Sequence, residues 1–365
     1  MRFIHCSDLH LGATPELGRP WAEARKNEIW ETAGKIISDC NRDSIDLLMI
    51  AGDVFNKQPA YSELKRLNEL FKTLPKTKVV MMAGTNDYIS PRSSYTNFRW
   101  NDNVLMLTDM ELSEKYIYGT DTTIYGLSLY DRETSTPLYR EAYPKQSSGL
   151  HILLAHGGED SGIPIDVKRL SEAGFDYVAL GHSHSYKKVG ERIFYSGSPE
   201  PLDKTETGEH GYIHGEILMA NGEYTVKTEF VPIAKRKYID LRIRITPDDN
   251  RQSLIQKLTK RILSEGAGNL YRVYLEGVRR SEERPNLAEI SEKGMITEVI
   301  DNTILGYDFG ELEKQNENNI IGLFMKSIRE ADADEYIKER ALYYGVEALL
   351  FASDENEGAL HFIQR

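Results

Sequence analysis

Five strand-length, largely apolar runs constrain this chain most, because each is followed within four residues by Asp or His, with a glycine close by. Arg2–Ser7 closes on Asp8-Leu9-His10, and Asp46–Ala51 closes on Gly52-Asp53. Lys78–Ala83 closes on Gly84-Thr85-Asn86-Asp87. Leu150–Ala155 closes on His156-Gly157-Gly158, and Tyr177–Leu180 on Gly181-His182-Ser183-His184. Short unbroken apolar runs suit strands covered on both faces. Between them lie helical spacings: Ile29, Ala33, Ile36 and Ile37, then Leu64, Leu67, Leu70 and Phe71, with a short helix at Val167–Ala173. From Val104 to Leu129 the pattern turns strand-rich, and further strands are predicted at Arg192–Ser196, Gly211–Leu218 and Glu223–Val231. This order predicts an α/β chain with a two-sheet core flanked by helices. Polar groups just past buried strands stand where α/β proteins collect functional side chains.

Asp-x-His and His-x-His on extended segments let two donors reach one centre. Carboxylate with imidazole suits Mn²⁺, Fe²⁺ or Zn²⁺ rather than thiophilic ions. A lone Asp between two such pairs can bridge two cations, and adjacent glycines let the backbone turn tightly. Two cations ~3.5–4 Å apart can clamp a phosphate and activate water for in-line attack. Each piece alone is common as a cap or turn; five in order are far more specific. The only cysteines, Cys6 and Cys40, exclude a cysteine zinc site and a disulfide framework and read as small buried hydrophobes. His151 is expected to pack inside its strand, and His210, His214 and His361 have no companions in the sequence. His5 suits a core hydrogen bond or support of the site from behind. Ser196-Gly197-Ser198 lacks the Gly-x-Ser-x-Gly setting of a serine nucleophile.

The formal charge of −12 argues against a chain that grips nucleic acid by itself. It is uneven: residues 1–234 hold 25 basic and 33 acidic residues, 235–280 hold 12 and 5, and 281–365 hold 8 and 19. The basic island is either a solvated surface or an anion-facing patch. It coincides with a predicted strand–helix–strand unit: Lys237–Ile245, Ser253–Leu263 and Tyr271–Leu275. The acidic remainder ends in helical patterns, with Ile320, Leu323, Phe324 and Ile328, then Tyr336, Ala341, Tyr344, Ala348 and Leu349, each on one side. These helices either pack within their own domain or dock a partner helix. No run is long and apolar enough for a membrane span, and Met1–Cys6 reads as a strand rather than a leader, so a cytoplasmic location is expected.

Asp8-Leu9-His10-Leu11-Gly12, Gly52-Asp53-Val54-Phe55, Gly84-x-x-Asp87, His156-Gly157 and Gly181-His182-Ser183-His184 together resemble the calcineurin-like metallophosphoesterase superfamily. Phe3–Gly12 and Tyr195-Ser196-Gly197-Ser198-Pro199-Glu200-Pro201 are similar to the SbcD-type DNA repair exonucleases. The resemblance covers about residues 1–235 and beyond that rests on domain order. It implies a four-layer α/β/β/α sandwich, a smaller α+β capping domain that touches DNA, and C-terminal helices that bind an SbcC-type SMC-like ATPase. The corresponding expected domains are 1–234, 235–281 extending to about 310, and 311–365. The resemblance also implies two divalent cations, Mn²⁺ first and Fe²⁺, Zn²⁺ or Mg²⁺ as alternatives. Asp8, His10, Asp53 and His184 would hold one, and Asp53, His156 and His182 the other, with Asp53 bridging. The implied partners are DNA ends and the ATPase, with room for a homodimer and none for a membrane.

The third motif departs from the family's Gly-Asn-His-Asp. Thr85 replaces the Asn ligand, Asn86 replaces the His thought to stabilise the transition state or protonate the leaving oxygen, and Asp87 loses its usual partner. Loss of a general acid costs typically ~10²–10⁴ in rate. Three functions follow as expectations: a two-metal DNA exonuclease or phosphodiesterase, a catalytically impaired metal-binding scaffold for DNA or the ATPase, and a small-molecule phosphodiesterase.

Overall fold

The computed structural model describes residues 1–145, 148–159, 162–220, 222–279 and 285–363. The elements run β1 (Arg2–Cys6), α1 (Ala22–Arg42), β2 (Leu47–Ala51), α2 (Tyr61–Lys72), β3 (Lys78–Met82) and β4 (Val104–Leu107). Then come β5 (Ser113–Ile117), β6 (Thr122–Gly126), β7 (Leu150–His156), α3 (Val167–Glu172), β8 (Tyr177–Gly181), β9 (Lys187–Lys188) and β10 (Ile193–Tyr195). A long hairpin, β11 (Gly211–Ala220) and β12 (Glu223–Pro232), follows. The rest is β13 (Tyr238–Ile245), α4 (Arg251–Glu265), β14 (Leu270–Arg279), α5 (Leu287–Ser291), β15 (Ile296–Leu305), α6 (Phe309–Gln315), α7 (Ile320–Glu330) and α8 (Glu335–Ile363).

Two six-stranded sheets, ordered β12-β11-β1-β2-β3-β4 and β5-β6-β7-β8-β10-β9, carry the first unit. Strands β1 to β4 pair in parallel, as do β6, β7 and β8. Side chains alternate along each strand, so one face of each sheet turns inward. Phe3, Leu47, Met49, Val80 and Met82 meet Ile124, Ile152, Leu154, Tyr177 and Phe194 between the sheets. On the far side, Ile4, Leu48 and Ile50 pack with Ile29, Trp30 and Ile36 of α1 and Leu64, Leu67 and Phe71 of α2. The other sheet's outer residues, Leu153, Val178 and Leu180, pack with Leu170 of α3. The result is the expected α/β/β/α layering. The parallel register brings the carboxyl ends of β1, β2, β3, β7 and β8 together with their trailing loops.

By its contacts the chain forms two compact units, one of residues 1–241, 262–272 and 291–298, the other of 242–261, 273–290 and 299–365. Strands β13, β14 and β15 pair in that order. In the second unit, α7 and α8 share a core of Ile321, Met325, Leu342 and Val346. This differs from the predicted stripes. Ile320 and Leu323 of α7 and Tyr336 and Tyr344 of α8 are exposed, at 68, 65, 62 and 53%. Both helices are apolar on more than one face, so periodicity alone does not tell which face is buried. No helix among the described residues is long and apolar enough to cross a membrane.

Candidate metal centre

Asp8, His10 and Asp53 are buried, each about 2% exposed or less, and His156 is wholly buried. The turns that deliver them are tight. Asp8, His10, Asp53 and His182 have φ of +52, +45, +47 and +94°, four of the seven non-glycine residues with positive φ among the described residues. Such conformations are sparsely populated by residues with a Cβ and persist where surrounding structure imposes them. Gly84 leaves the room this needs, because a Cβ there would collide with Oδ1 and the backbone N of Asp53. At Gly181 a Cβ would run into the carbonyl oxygen of Ala51.

Hydrogen bonds aim the donors. The His156 Nδ1–H donates to the Ala51 carbonyl at 2.8 Å, which turns the Nε2 lone pair toward Asp53 Oδ2 at 3.6 Å. The His184 Nδ1–H donates to Glu206 at 2.7 Å, and its Nε2 lies 3.1 Å from Nε2 of His10. His10 Nε2 is in turn 3.8 Å from Asp53 Oδ2. Asp8 accepts from the Ser7 hydroxyl at 2.5 Å and from the backbone N–H of His182 at 3.0 Å. The centre is thus a set of carboxylate oxygens and imidazole nitrogens facing one another. Nε2 of His156 is buried and has no hydrogen-bond partner. Carboxylate and imidazole donors with such an orphaned acceptor fit a divalent cation.

Two groups of ligand atoms lie within 4.8 Å of one another: Asp8, His10 and His184, and Asp8, Asp53 and His156. The carboxylate common to both groups is Asp8. The bridge expected from the sequence, Asp53, has its Oδ2 between a ring of each group, His10 and His156. The His182 ring enters neither group and stands edge-on to His156, ring centres 5.4 Å apart.

Electrostatics follow from burial and neighbours. Burial disfavours a charged His156, yet the adjacent Asp53 outweighs this and pushes the ring up to about 9. Burial likewise works against Asp53, but His156 and His10 hold its carboxyl well below the usual range. Burial, joined by the repulsion of His156, lowers His182.

The divergent third loop has its own solution. The Thr85 hydroxyl donates to Asp53 Oδ2 at 3.1 Å and the Asn86 amide does so at 2.6 Å. Asp87 is not left without partners: it accepts from Gly84 N at 2.7 Å, Phe55 N at 3.0 Å and the Tyr95 hydroxyl at 2.6 Å. Burial, and then the Asp53 charge, push its carboxyl up to about 7.

The family model for the calcineurin-like phosphoesterases matches residues 1–186, half of the chain. The chain belongs to this family. The chain is 25% identical over 241 residues, 58% of this chain and 52% of the other, to the DNA double-strand break repair protein Mre11 of Methanopyrus kandleri. It is 22% identical over 283 residues, 64% of this chain and 69% of the other, to the SbcD component of the nuclease SbcCD of Escherichia coli. Against the first of these it spans about half of the relative's length. A dimetal phosphatase from Danio rerio aligns over 66% of this chain and 99% of its own at 12% identity, with a TM-score of 0.41.

Other sequence readings resolve in the structure as follows. His5 makes a core hydrogen bond, its Nδ1 lying 3.0 Å from the Tyr177 hydroxyl. His151 packs inside its strand against Tyr125. Cys6 and Cys40 are buried free thiols. The His361 side chain lies outside the described residues. His210 does have companions, Ser198 and Glu206, which its sequence neighbours do not advertise. Glu206 and Tyr95 were missed because neither follows an apolar strand at ligand spacing, and Ser7, which does follow β1, because a hydroxyl carries no ligand signature.

Proposed function

We propose that this phosphoesterase is a divalent-metal-dependent phosphodiesterase that cleaves DNA ends in repair, in the cytoplasm, together with an SbcC-type SMC-like ATPase. The observation that carries the reading is the convergence of the bare Nε2 of His156 with Asp53, Asp8, His10 and His184. The names of the two relatives, a DNA double-strand break repair protein and a component of a nuclease, support the substrate class. Asp8, His10 and His184 would hold one cation and Asp8, Asp53 and His156 the other, with Mn²⁺ the first choice. Bound cations supply the positive charge that draws in a phosphodiester and makes water acidic enough to attack.

The chain's own residues do the rest. Thr85 and Asn86 fix the Asp53 carboxylate by direct hydrogen bonds. Next to the centre, a cavity of about 680 Å³ lined by Glu159, His182, Ser183, Lys187 and Tyr195 gives the substrate room, with one cationic and one acidic side chain. No imidazole stands on the third loop, so the leaving oxygen receives no proton from it, and turnover is expected to be slow. The segment 235 to about 310 is assigned to DNA contact on the basic excess of its 235–280 part. The segment 311–365 is assigned to ATPase docking on the exposed Ile320, Leu323, Tyr336 and Ile337.

The decisive assay supplies Mn²⁺ and follows hydrolysis of bis(p-nitrophenyl) phosphate and of linear duplex DNA. Both activities are expected, and both are expected to vanish in Asp53→Ala. Metal binding and partner association without turnover would favour the scaffold reading, for which the loss of imidazole at position 86 speaks. Cleavage of the small diester with no DNA binding would favour a small-molecule substrate.

A further inference from the structure

His184 is held from both its ring and its backbone by one closed circuit. Its Nδ1–H donates to Glu206 Oε1 at 2.7 Å. Its carbonyl accepts from the backbone N–H of Ser198 at 3.0 Å. The Ser198 hydroxyl lies 3.0 Å from Nδ1 of His210. Nε2 of His210 returns to the carbonyl of Glu206 at 3.3 Å, which closes the circuit. The second oxygen of Glu206 is also committed, accepting from Leu202 N at 2.9 Å. The Glu206 side chain is only 16% exposed. Both carboxylate oxygens therefore accept, and only a carboxylate can face two N–H donors at once.

This chemistry dictates a tautomer. A carboxylate can only accept, so the proton of neutral His184 must sit on Nδ1 and the lone pair on Nε2. Nε2 is the atom that faces His10. His156 obtains the same tautomer from a neutral carbonyl, that of Ala51. A carboxylate behind an imidazole raises its basicity as a ligand, which a carbonyl does more weakly.

We propose that Glu206 is a positioning residue that sets the tautomer, orientation and basicity of His184, and so strengthens the cation site formed by Asp8, His10 and His184. The proposal rests on the reading of the cluster as a cation centre. Removing such a carboxylate typically weakens metal affinity ~10–100-fold. Glu206→Gln is informative as well. Its amide N–H₂ must face either the Leu202 N–H, where it clashes, or His184 Nδ1, where it forces the proton onto Nε2.

The test is Mn²⁺ titration of the full chain by calorimetry and by electron paramagnetic resonance, with Tm recorded for each variant. Wild type is expected to bind two ions. Glu206→Ala and Glu206→Gln are expected to lose ~10–100-fold in affinity at one site and to keep the other. In a double-mutant cycle, Glu206→Ala added to His184→Ala should cost little more, since Glu206 acts through that ring. Wild-type affinity at both sites in folded Glu206 variants would overturn the proposal, as would equal weakening at both sites or full additivity in the cycle. If Glu206→Ala does not fold, Glu206→Gln carries the test. A wild-type protein that binds no divalent ion would instead sink the cation reading itself.

Discussion

At the residue scale, the centre depends on backbone conformations that residue types only hint at. Gly84→Ala places a Cβ against Asp53 and 2.8 Å from Cε1 of His156. Mn²⁺ affinity is expected to fall at least about tenfold, by analogy with disturbed ligand support, and titration of the folded variant checks this. Asn86→His with Thr85→Asn is expected to raise diester hydrolysis, by up to ~10²-fold if a general acid is restored. Unchanged turnover would show that the third loop does not serve the reaction. His5 tests burial rather than chemistry. Its burial lowers the ring from 6.5 to about 3. Between those values the unfolded chain takes up a proton that the folded one refuses. Stability is therefore expected to decline as pH falls below 6.5, by up to about 1.4 kcal/mol per unit from this group. Urea unfolding at pH 7, 6 and 5 reads the slope, which should flatten by one proton in His5→Gln.

At the element scale, α1 is tied to the loop after β10 by a buried charge network. Arg25, wholly buried, contacts Glu28 at 2.8 Å, Glu200 at 3.1 Å and the Pro201 carbonyl at 2.7 Å. Glu200 also accepts from the Thr32 hydroxyl at 2.6 Å and Lys235 N at 2.7 Å. Arg25→Ala strands a buried carboxylate, and a loss of about 3–5 kcal/mol is expected from denaturant unfolding. A loss under ~1 kcal/mol would mean that water reaches Glu200 readily. Most elements were legible because their periodicity is strong, as in α1, α2 and the five buried strands. The strand β15 was not. Its sequence Ile-Thr-Glu-Val-Ile-Asp-Asn-Thr-Ile-Leu is mostly half-buried and does not alternate cleanly.

At the scale of the molecule, charge decides less than its total suggests. In the basic segment, Arg251 pairs with Glu289 at 2.7 Å, Arg272 with Asp240 at 2.8 Å, and Lys257 with Asp249 at 2.5 Å. Arg242 is likewise paired with Glu276. Arg244 and Lys260 carry no ion pair among the described residues, so Arg244→Ala with Lys260→Ala is the sharper probe of DNA contact. The pair is expected to weaken duplex binding at every sequence and to reduce the slope of log K against log salt by up to about 2. An unchanged slope would remove this segment from the DNA surface. Leu323→Glu with Ile337→Glu is expected to abolish ATPase association and to leave small-diester hydrolysis intact, read by co-purification and the same assay.

The sequence by itself determined the layered α/β plan and the family, because buried strands and the polar residues trailing them are local patterns. It also picked out Asp8, His10, Asp53, His156 and His184, whose ligand atoms lie close together in the structure. Tertiary structure alone shows that Asp8 is common to both groups of close ligand atoms, that the His182 ring stands edge-on to His156, and that Glu206 and His210 back His184. Those relations join residues from separate segments, and their distances are set by sheet register and loop packing, which no single stretch of chain encodes.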